Sequence, residues 1–148
     1  MVQIGRRNSA LPFCAADLTG LPVRSATVAA IVCWYAVIHL DGPQRAAAYR
    51  EFARVLRPGG HALIAFHISA AGIPVGGATA LTEWWGQAVD LTFRYLDPEA
   101  EARSLAEAGL ALVARLDREP NIGVPPAGVE HVSLEHASRR SYLLVRRP

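Results

Sequence analysis

The sequence predicts a single α/β domain with a largely parallel sheet. At 148 residues and 15.9 kDa the chain has room for one domain, over residues 1–148, and not for two. Residues 28–35 (VAAIVCWY) are apolar without interruption, which is typical of a central parallel strand covered by helices. Segments with helical and strand patterns then alternate with short connections, as they do in α/β domains.

The N-terminal part is expected to hold a helix end, a strand and a turn. Residues 1–8 are interpreted as the end of a helix before a basic turn. Residues 11–16 form a short apolar run that we expect to be a strand closed by Asp17. Residues 18–24 (LTGLPVR) are a turn-rich connection to the strand at 28–35.

A helix is expected to begin at Asp41-Gly42-Pro43, because proline early in a helix forfeits no hydrogen bond. Its buried stripe has helical spacing and consists of Tyr49, Phe52, Ala53 and Leu56. Pro58 is expected to end it, and Gly59-Gly60 to turn the chain into a strand at 61–67.

The remaining chain predicts three strands and one helix. Residues 89–96 alternate between apolar and polar side chains, which suits a strand with one wet face. Asp97-Pro98 is expected to start a helix that Gly109 ends. The last two strands are expected at 110–116 and 142–145.

Composition excludes several classes of protein. The 15 basic residues, all arginine, exceed the 13 acidic ones by only two, so a dedicated nucleic-acid surface is not expected. The charged fraction of 19% and the hydrophobic fraction of 51% exclude a disordered polyelectrolyte. The charge-free stretch 58–82 is interrupted by glycines and prolines, so we expect no membrane span and a soluble protein.

The cysteines and histidines predict no metal site. Cys14 and Cys33 lack CxxC spacing, which excludes a disulfide scaffold and a cysteine-rich zinc site and favours a reducing, cytoplasmic location. The five histidines are scattered and lack ligand spacing with carboxylates.

Polar and aromatic residues follow the predicted strands on one rim of the sheet, where α/β folds bind ligands. Asp17 closes the first strand, Trp34-Tyr35 the second and His67 the third, and His39 comes four residues after Tyr35. His61 begins its strand, belongs on the opposite rim and is set aside.

Each candidate also has a structural interpretation. Asp17 can cap a turn, Trp34 and Tyr35 can be core residues, and His39 can be a hydrogen-bonded structural histidine. His67 is a candidate general base, although no carboxylate partner is identifiable.

Two further pairs stand out downstream. Trp84-Trp85 cannot both point inward on one element, so one is expected to face a pocket or a partner. Arg139-Arg140 and Arg146-Arg147 bracket the last strand and are interpreted as charged guards of a sheet edge.

Three local patterns, in this order and spacing, resemble class I S-adenosylmethionine-dependent methyltransferases of the ubiquinone/menaquinone-biosynthesis-like type. They are residues 13–22 (FCAADLTGLP), residues 29–40 (AAIVCWYAVIHL) and residues 51–60 (EFARVLRPGG). Residues 135–142 are also similar to the segment that enters the last strand of that family.

The resemblance implies a Rossmann-like fold with a mostly parallel sheet, an antiparallel C-terminal strand and helices on both faces. It implies S-adenosylmethionine as cofactor, with Asp17 receiving the adenine amino group and the Leu18 backbone N–H a ring nitrogen. Trp34 and Tyr35 would lie beside the methionine part, and His39 would close the pocket wall. The pocket for a small-molecule methyl acceptor would comprise His67 as the catalytic candidate together with Trp84 and Trp85.

The sequence departs from that family at its start. The glycine-rich loop after the first strand and the acid that holds the ribose hydroxyls are not found, so two βα units are expected to be absent and cofactor binding to be weak or lost. In the family strand order 3-2-1-4-5-7-6, those units separate the strand at 11–16 from the strand at 28–35. Open apolar edges attract other strands, so we expect a homo-oligomer, a strand-swapped dimer or a rearranged sheet.

Two alternatives to methyl transfer stay open. The chain could be a non-catalytic partner or regulatory subunit with a methyltransferase-like fold. It could also have a methyltransferase-like fold whose pocket now serves a cofactor-independent reaction of a small molecule.

Overall fold

A computed structural model describes residues 2–84, 86–120 and 137–148. Trp85 and the first two residues, 135 and 136, of the segment that resembles the entry to the last strand lie outside the described residues. The helices are α1 (Val2–Asn8), α2 (Gly42–Val55) and α3 (Pro98–Glu107), with a 3₁₀ turn at Val37–His39. The strands are β1 (Val28–Trp34), β2 (Leu56–Ser69), β3 (Ala78–Trp84), β4 (Gln87–Arg94), β5 (Ala111–Arg118) and β6 (Arg139–Arg146).

The main sheet has four strands in the order β1-β2-β6-β5. β1 and β2 are parallel, and β6 runs antiparallel to both β2 and β5, so β6 alone is reversed. The predicted α/β class, with a mostly parallel sheet and an antiparallel last strand, is therefore confirmed. β3 and β4 form a separate antiparallel hairpin.

Helices α2 and α3 begin where the sequence predicts. Asp41 forms a capping box with Gln44, in which each side chain accepts a hydrogen bond from the other residue's backbone N–H. The Asp97 side chain caps α3 by accepting from the Glu99 N–H. α2 ends at Val55 rather than at Pro58, and β2 begins directly at Leu56, which remains fully buried as predicted.

Both of these helices pack on one face of the main sheet. Tyr49 and Phe52 of α2 and Leu105 of α3 share a core with Ile64 of β2 and Leu143 of β6. The sequence predicted helices on both faces. On the opposite face of the described sheet, Val32 and Leu116 are 69% and 64% exposed, so α2 and α3 leave this face open.

Residues 11–16 do not form the predicted strand. Their side chains are exposed and no neighbouring strand pairs with them in the described chain, because an apolar run becomes a strand only where a partner supplies hydrogen bonds. Among the described residues, no helix combines the length and the apolar character needed to cross a membrane.

Candidate functional site

The candidate site lies at the carboxyl ends of β1 and β2, as the sequence predicts. Tyr35 follows β1 and donates its backbone N–H to Ala65 of β2, while the His67 carbonyl accepts from Leu96. Tyr35 has φ of +51°, an uncommon left-handed conformation for a residue with a large side chain. This conformation turns the chain out of β1 and leaves the phenol ring over β2.

Aromatic rings join these strands into one cluster. The Tyr35 ring stacks on the His67 imidazole with 4.8 Å between centroids, and Trp34 meets Tyr35 edge-on at 5.4 Å. Trp34 also contacts Tyr142 of β6 at 5.5 Å, yet 54% of Trp34 is exposed. The predicted grouping of Trp34, Tyr35 and His67 is therefore observed, with Trp34 open to a ligand.

Hydrogen bonds bring β6 into the cluster. The hydroxyls of Tyr35 and Tyr142 are 3.0 Å apart, and Arg140 Nη1 donates to the Tyr35 hydroxyl at 3.1 Å. The Arg140 guanidinium also lies over the Tyr35 ring, 5.3 Å from its centroid. Sequence reasoning missed Arg140 and Tyr142 as site residues. The arginine pairs around the last strand were the available signal, and they were interpreted as edge guards.

His67 is 7% exposed, and its Nδ1 lies 2.8 Å from Ser138 Oγ. Burial lowers the pKa of His67 to about 4, and the charges of Arg140 and His39 act in the same direction. The imidazole is therefore neutral near pH 7. A base with so low a pKa removes protons poorly, so the geometry favours hydrogen bonding by His67 over proton abstraction.

This low pKa predicts a pH-dependent stability. In the unfolded chain the imidazole titrates near 6.5, so between about pH 6.5 and 4 the unfolded state binds the extra proton and the free energy of unfolding falls as the pH falls. Urea unfolding of wild type and His67→Gln at pH 7, 5.5 and 4.5 measures this contribution. We expect a steeper loss of stability in wild type; equal pH profiles for the two proteins would contradict the assignment.

His39 ties the 3₁₀ turn to the hairpin. Its Nδ1 is 3.1 Å from the Thr92 carbonyl oxygen, and because a carbonyl only accepts, Nδ1 carries the proton. Arg94 Nη1 donates to the His39 carbonyl, and Phe93 packs edge-on against the ring at 4.8 Å. His39 thus has the structural role considered for it, and it also holds the hairpin beside the end of β1.

Trp84 at the end of β3 packs against Phe93 at 5.6 Å, on the same hairpin. It is half-buried, so it forms part of the hairpin wall near His39.

Asp17 lies in an exposed turn and accepts hydrogen bonds from the Thr19 N–H and hydroxyl through Oδ1. These bonds lower the pKa of the Asp17 carboxyl. Within the described residues, Oδ2 of Asp17 and the backbone N–H of Leu18 have no hydrogen-bond partner. The Asp17 carboxylate thus offers one free acceptor, and the neighbouring Leu18 backbone offers one free donor. The Leu18 side chain packs against the core.

The motif at 51–60 anchors the loop that follows this turn. Glu51 accepts from the Leu21 N–H, while Arg54 donates to the carbonyls of Leu21 and Val23 and forms an ion pair with Glu51. The hydrogen bonds from Arg54 lower the pKa of Glu51 to about 2. α2 thereby fixes the path of the chain after Asp17.

Residues 2–84, 86–120 and 137–148 contain no group of three or more histidine, cysteine, aspartate or glutamate side chains that could hold a metal ion. The described site consists of aromatic rings, hydroxyls, a neutral histidine and an arginine. These groups suit an organic ligand with apolar, hydrogen-bonding and charged parts.

Comparison with known proteins agrees with this geometry. Residues 1–60 match the family model of a methyltransferase domain, which is less than half of the 148 residues. No curated protein matches the sequence. The fold is similar to an S-adenosylmethionine-dependent methyltransferase from Methanosarcina mazei, with TM-score 0.71, 11% identity and coverage of 99% of this chain and 76% of that one.

Two further solved structures share the fold. One is 1,6-didemethyltoxoflavin-N1-methyltransferase of Burkholderia thailandensis with bound S-adenosylhomocysteine, at TM-score 0.62 and 16% identity over 91% of this chain. The other is the [4+2]-cyclase SpnF, at TM-score 0.64 and 19% identity over 99% of this chain. The chain spans 50% and 61% of their respective lengths, which is less than two thirds of either. The fold is therefore similar to the Rossmann-like fold of solved methyltransferases.

Proposed function

We propose that this chain takes part in S-adenosylmethionine-dependent methyl transfer to a small-molecule acceptor. The observation that carries the proposal is the cluster of Trp34, Tyr35 and His67 at the carboxyl ends of β1 and β2, the edge where α/β folds bind ligands. His39 holds the hairpin beside this cluster. The methyltransferase match over residues 1–60 ends at this sheet and supports the same chemistry.

The described residues fit the adenine end of the cofactor. The free Asp17 Oδ2 can accept a hydrogen bond from the adenine amino group, and the free Leu18 N–H can donate to a ring nitrogen. Hydrogen bonds from Thr19 hold the Asp17 carboxylate in place and keep it ionised.

The aromatic residues fit the methionine end. When bound, S-adenosylmethionine supplies a methyl group on a positively charged sulfur. The half-exposed ring of Trp34 would attract that charge, while the hairpin held by His39 would shield the site from water. Orientation of the acceptor in line with the methyl group supplies much of the acceleration in such a reaction.

His67 and Trp84 are the proposed acceptor contacts. Within the described chain, Nε2 of His67 has no hydrogen-bond partner and remains available to an acceptor hydroxyl. Because the imidazole is neutral, His67 can accept or donate such a bond without carrying charge into the site. Trp85 belongs to the same proposal and lies outside the described residues.

Calorimetric titration with S-adenosylhomocysteine tests the proposal. We expect micromolar binding that Asp17→Ala weakens about tenfold, the loss of one charge-assisted hydrogen bond. Asp90→Ala is the matched control, since Asp90 is an exposed carboxylate on β4. Absence of heat at millimolar ligand would mean that the chain does not bind the cofactor on its own.

We also propose that the chain associates with a second copy of itself through the outer edge of β1. β1 pairs with β2 on one side, and in the described chain no strand pairs with its other side. The exposed Val32 and Trp34 lie on this strand, so a second strand would satisfy backbone groups and cover apolar surface together.

Cys14 and Cys33 are both free, which supports a reducing, cytoplasmic location.

A second candidate function is that of a non-catalytic partner or regulatory subunit. The sheet face opposite α2 and α3 favours it, because a broad apolar face is typical of a surface that another protein covers. A heteromeric complex without cofactor binding would support this candidate.

A further inference from the structure

A row of basic side chains crosses the main sheet beside the aromatic cluster. Arg140 on β6 is paired with His67 on β2 and with Arg118 on β5. Directly paired residues point to the same face, so all three side chains lie on the face that α2 and α3 leave open. Two arginines in this arrangement repel each other, which calls for a negative charge nearby.

The described chain does not supply that charge. In residues 2–84, 86–120 and 137–148, neither Arg140 nor Arg118 forms an ion pair with a carboxylate, whereas Arg45, Arg54 and Arg115 each do. Arg140 donates hydrogen bonds to the hydroxyls of Tyr35 and Ser138. Both arginines are half-buried, so water screens their charges only in part.

Tyr142 adds a hydroxyl to this row. It lies between the arginine row and the apolar part of the open face, and its hydroxyl meets that of Tyr35. Although burial acts to raise it, the hydrogen bond from the Tyr35 hydroxyl and the charges of Arg140 and Arg118 lower the pKa of Tyr142. The local field thus favours negative charge at this position.

An apolar groove of about 380 Å³ begins beside Tyr142. Its lining includes Trp34, Leu63, Leu116 and Leu144, on the same face as the two arginines. This volume suits a small organic molecule. A positive row at the end of an apolar groove is complementary to an apolar molecule with one anionic group.

We infer that Arg140, Arg118 and Tyr142 form a subsite for an anionic oxygen group, and that the methyl acceptor is an aromatic or aliphatic acid whose apolar body lies in the groove. The identification of this ligand as the acceptor rests on the proposed methyl transfer. The anion subsite itself rests only on the arrangement of the three side chains.

Benzoate and its neutral analogue benzamide are the probes, titrated into the isotope-labelled chain and followed by NMR. We expect benzoate to bind at least about tenfold more tightly than benzamide, and Arg140→Gln to remove that preference. Arg118→Gln, checked for folding by its amide spectrum, should weaken benzoate in the same direction. Arg103→Gln on the exposed side of α3 is the charge-matched control and should leave binding unchanged.

Equal binding of benzoate and benzamide, or an Arg140→Gln chain that keeps the preference, would overturn the subsite. Repeating the titration with S-adenosylhomocysteine separates the sources of the anion. Simultaneous binding supports an acceptor site, whereas displacement of benzoate would show that the arginines hold the cofactor carboxylate and would overturn the acceptor assignment. Arginine-dependent benzoate binding in a chain that never binds S-adenosylhomocysteine would support the subsite and overturn the methyl transfer.

Discussion

Glu101→Ala is expected to lower the free energy of unfolding by about 3–5 kcal/mol, the cost of breaking a buried ion pair from one side. Glu101 is 5% exposed on α3 and accepts from Arg45 Nε at 3.1 Å and from the Tyr49 hydroxyl at 2.6 Å, both on α2. The substitution leaves a largely buried guanidinium and a fully buried hydroxyl without their acceptor. Urea unfolding at pH 7 measures the loss.

Two control variants separate this network from general effects on the helix. Glu107→Ala removes an exposed carboxylate from the same helix and should change stability by under about 0.5 kcal/mol. Tyr49→Phe keeps the ion pair and should cost about 1–2 kcal/mol, since it removes one hydrogen bond. If Glu101→Ala were no more destabilising than Glu107→Ala, the network would not hold α2 and α3 together.

Val32→Lys is expected to weaken the proposed oligomer. Val32 lies on β1 with 69% of its surface exposed, so in a monomer the lysine ammonium stays in water and stability should hold. In a pairing of two β1 strands the two lysines would lie on neighbouring strands of one sheet face, and their repulsion is expected to weaken association by about fivefold. Sedimentation velocity over a range of protein concentrations measures the shift.

Val75→Lys is the matched control for association. Val75 is 46% exposed and lies between β2 and β3, away from the β1 edge, so its substitution should leave the sedimentation profile unchanged. A wild-type chain that sediments as a monomer at all concentrations would contradict the proposed association.

Local patterns predicted most of the elements but not what covers them. The Asp41 cap, the Asp97 cap and the apolar run of β1 each appear where the sequence placed them, because caps and strand propensity act over a few residues. The same apolar run suggested cover on both faces, yet of β1 only Cys33 is buried. An apolar sequence indicates that a strand tends to be buried, but it does not identify the segment that buries it. The prediction of a strand at 11–16 was wrong for a related reason, because a strand pairs with residues that are distant from it in the sequence.

The site was predictable where it depends on strand ends and not where it depends on strand order. Trp34, Tyr35 and His67 could be grouped because the carboxyl ends of parallel strands share one edge. Arg140 and Tyr142 lie more than 100 residues from Tyr35 in sequence, and only the antiparallel pairing of β6 with β2 brings them to that edge. No short stretch of the sequence predicts the pairing of β6 with β2.

The central claim, that the carboxyl ends of β1 and β2 bind S-adenosylmethionine, is tested most directly by NMR mapping. Amide chemical shifts of the isotope-labelled chain are followed while the cofactor is added to saturation. We expect the largest changes to cluster at Leu18, Tyr35 and His39 and those of α3 to remain small. Unchanged shifts at millimolar cofactor, or changes centred on α2 and α3, would contradict it.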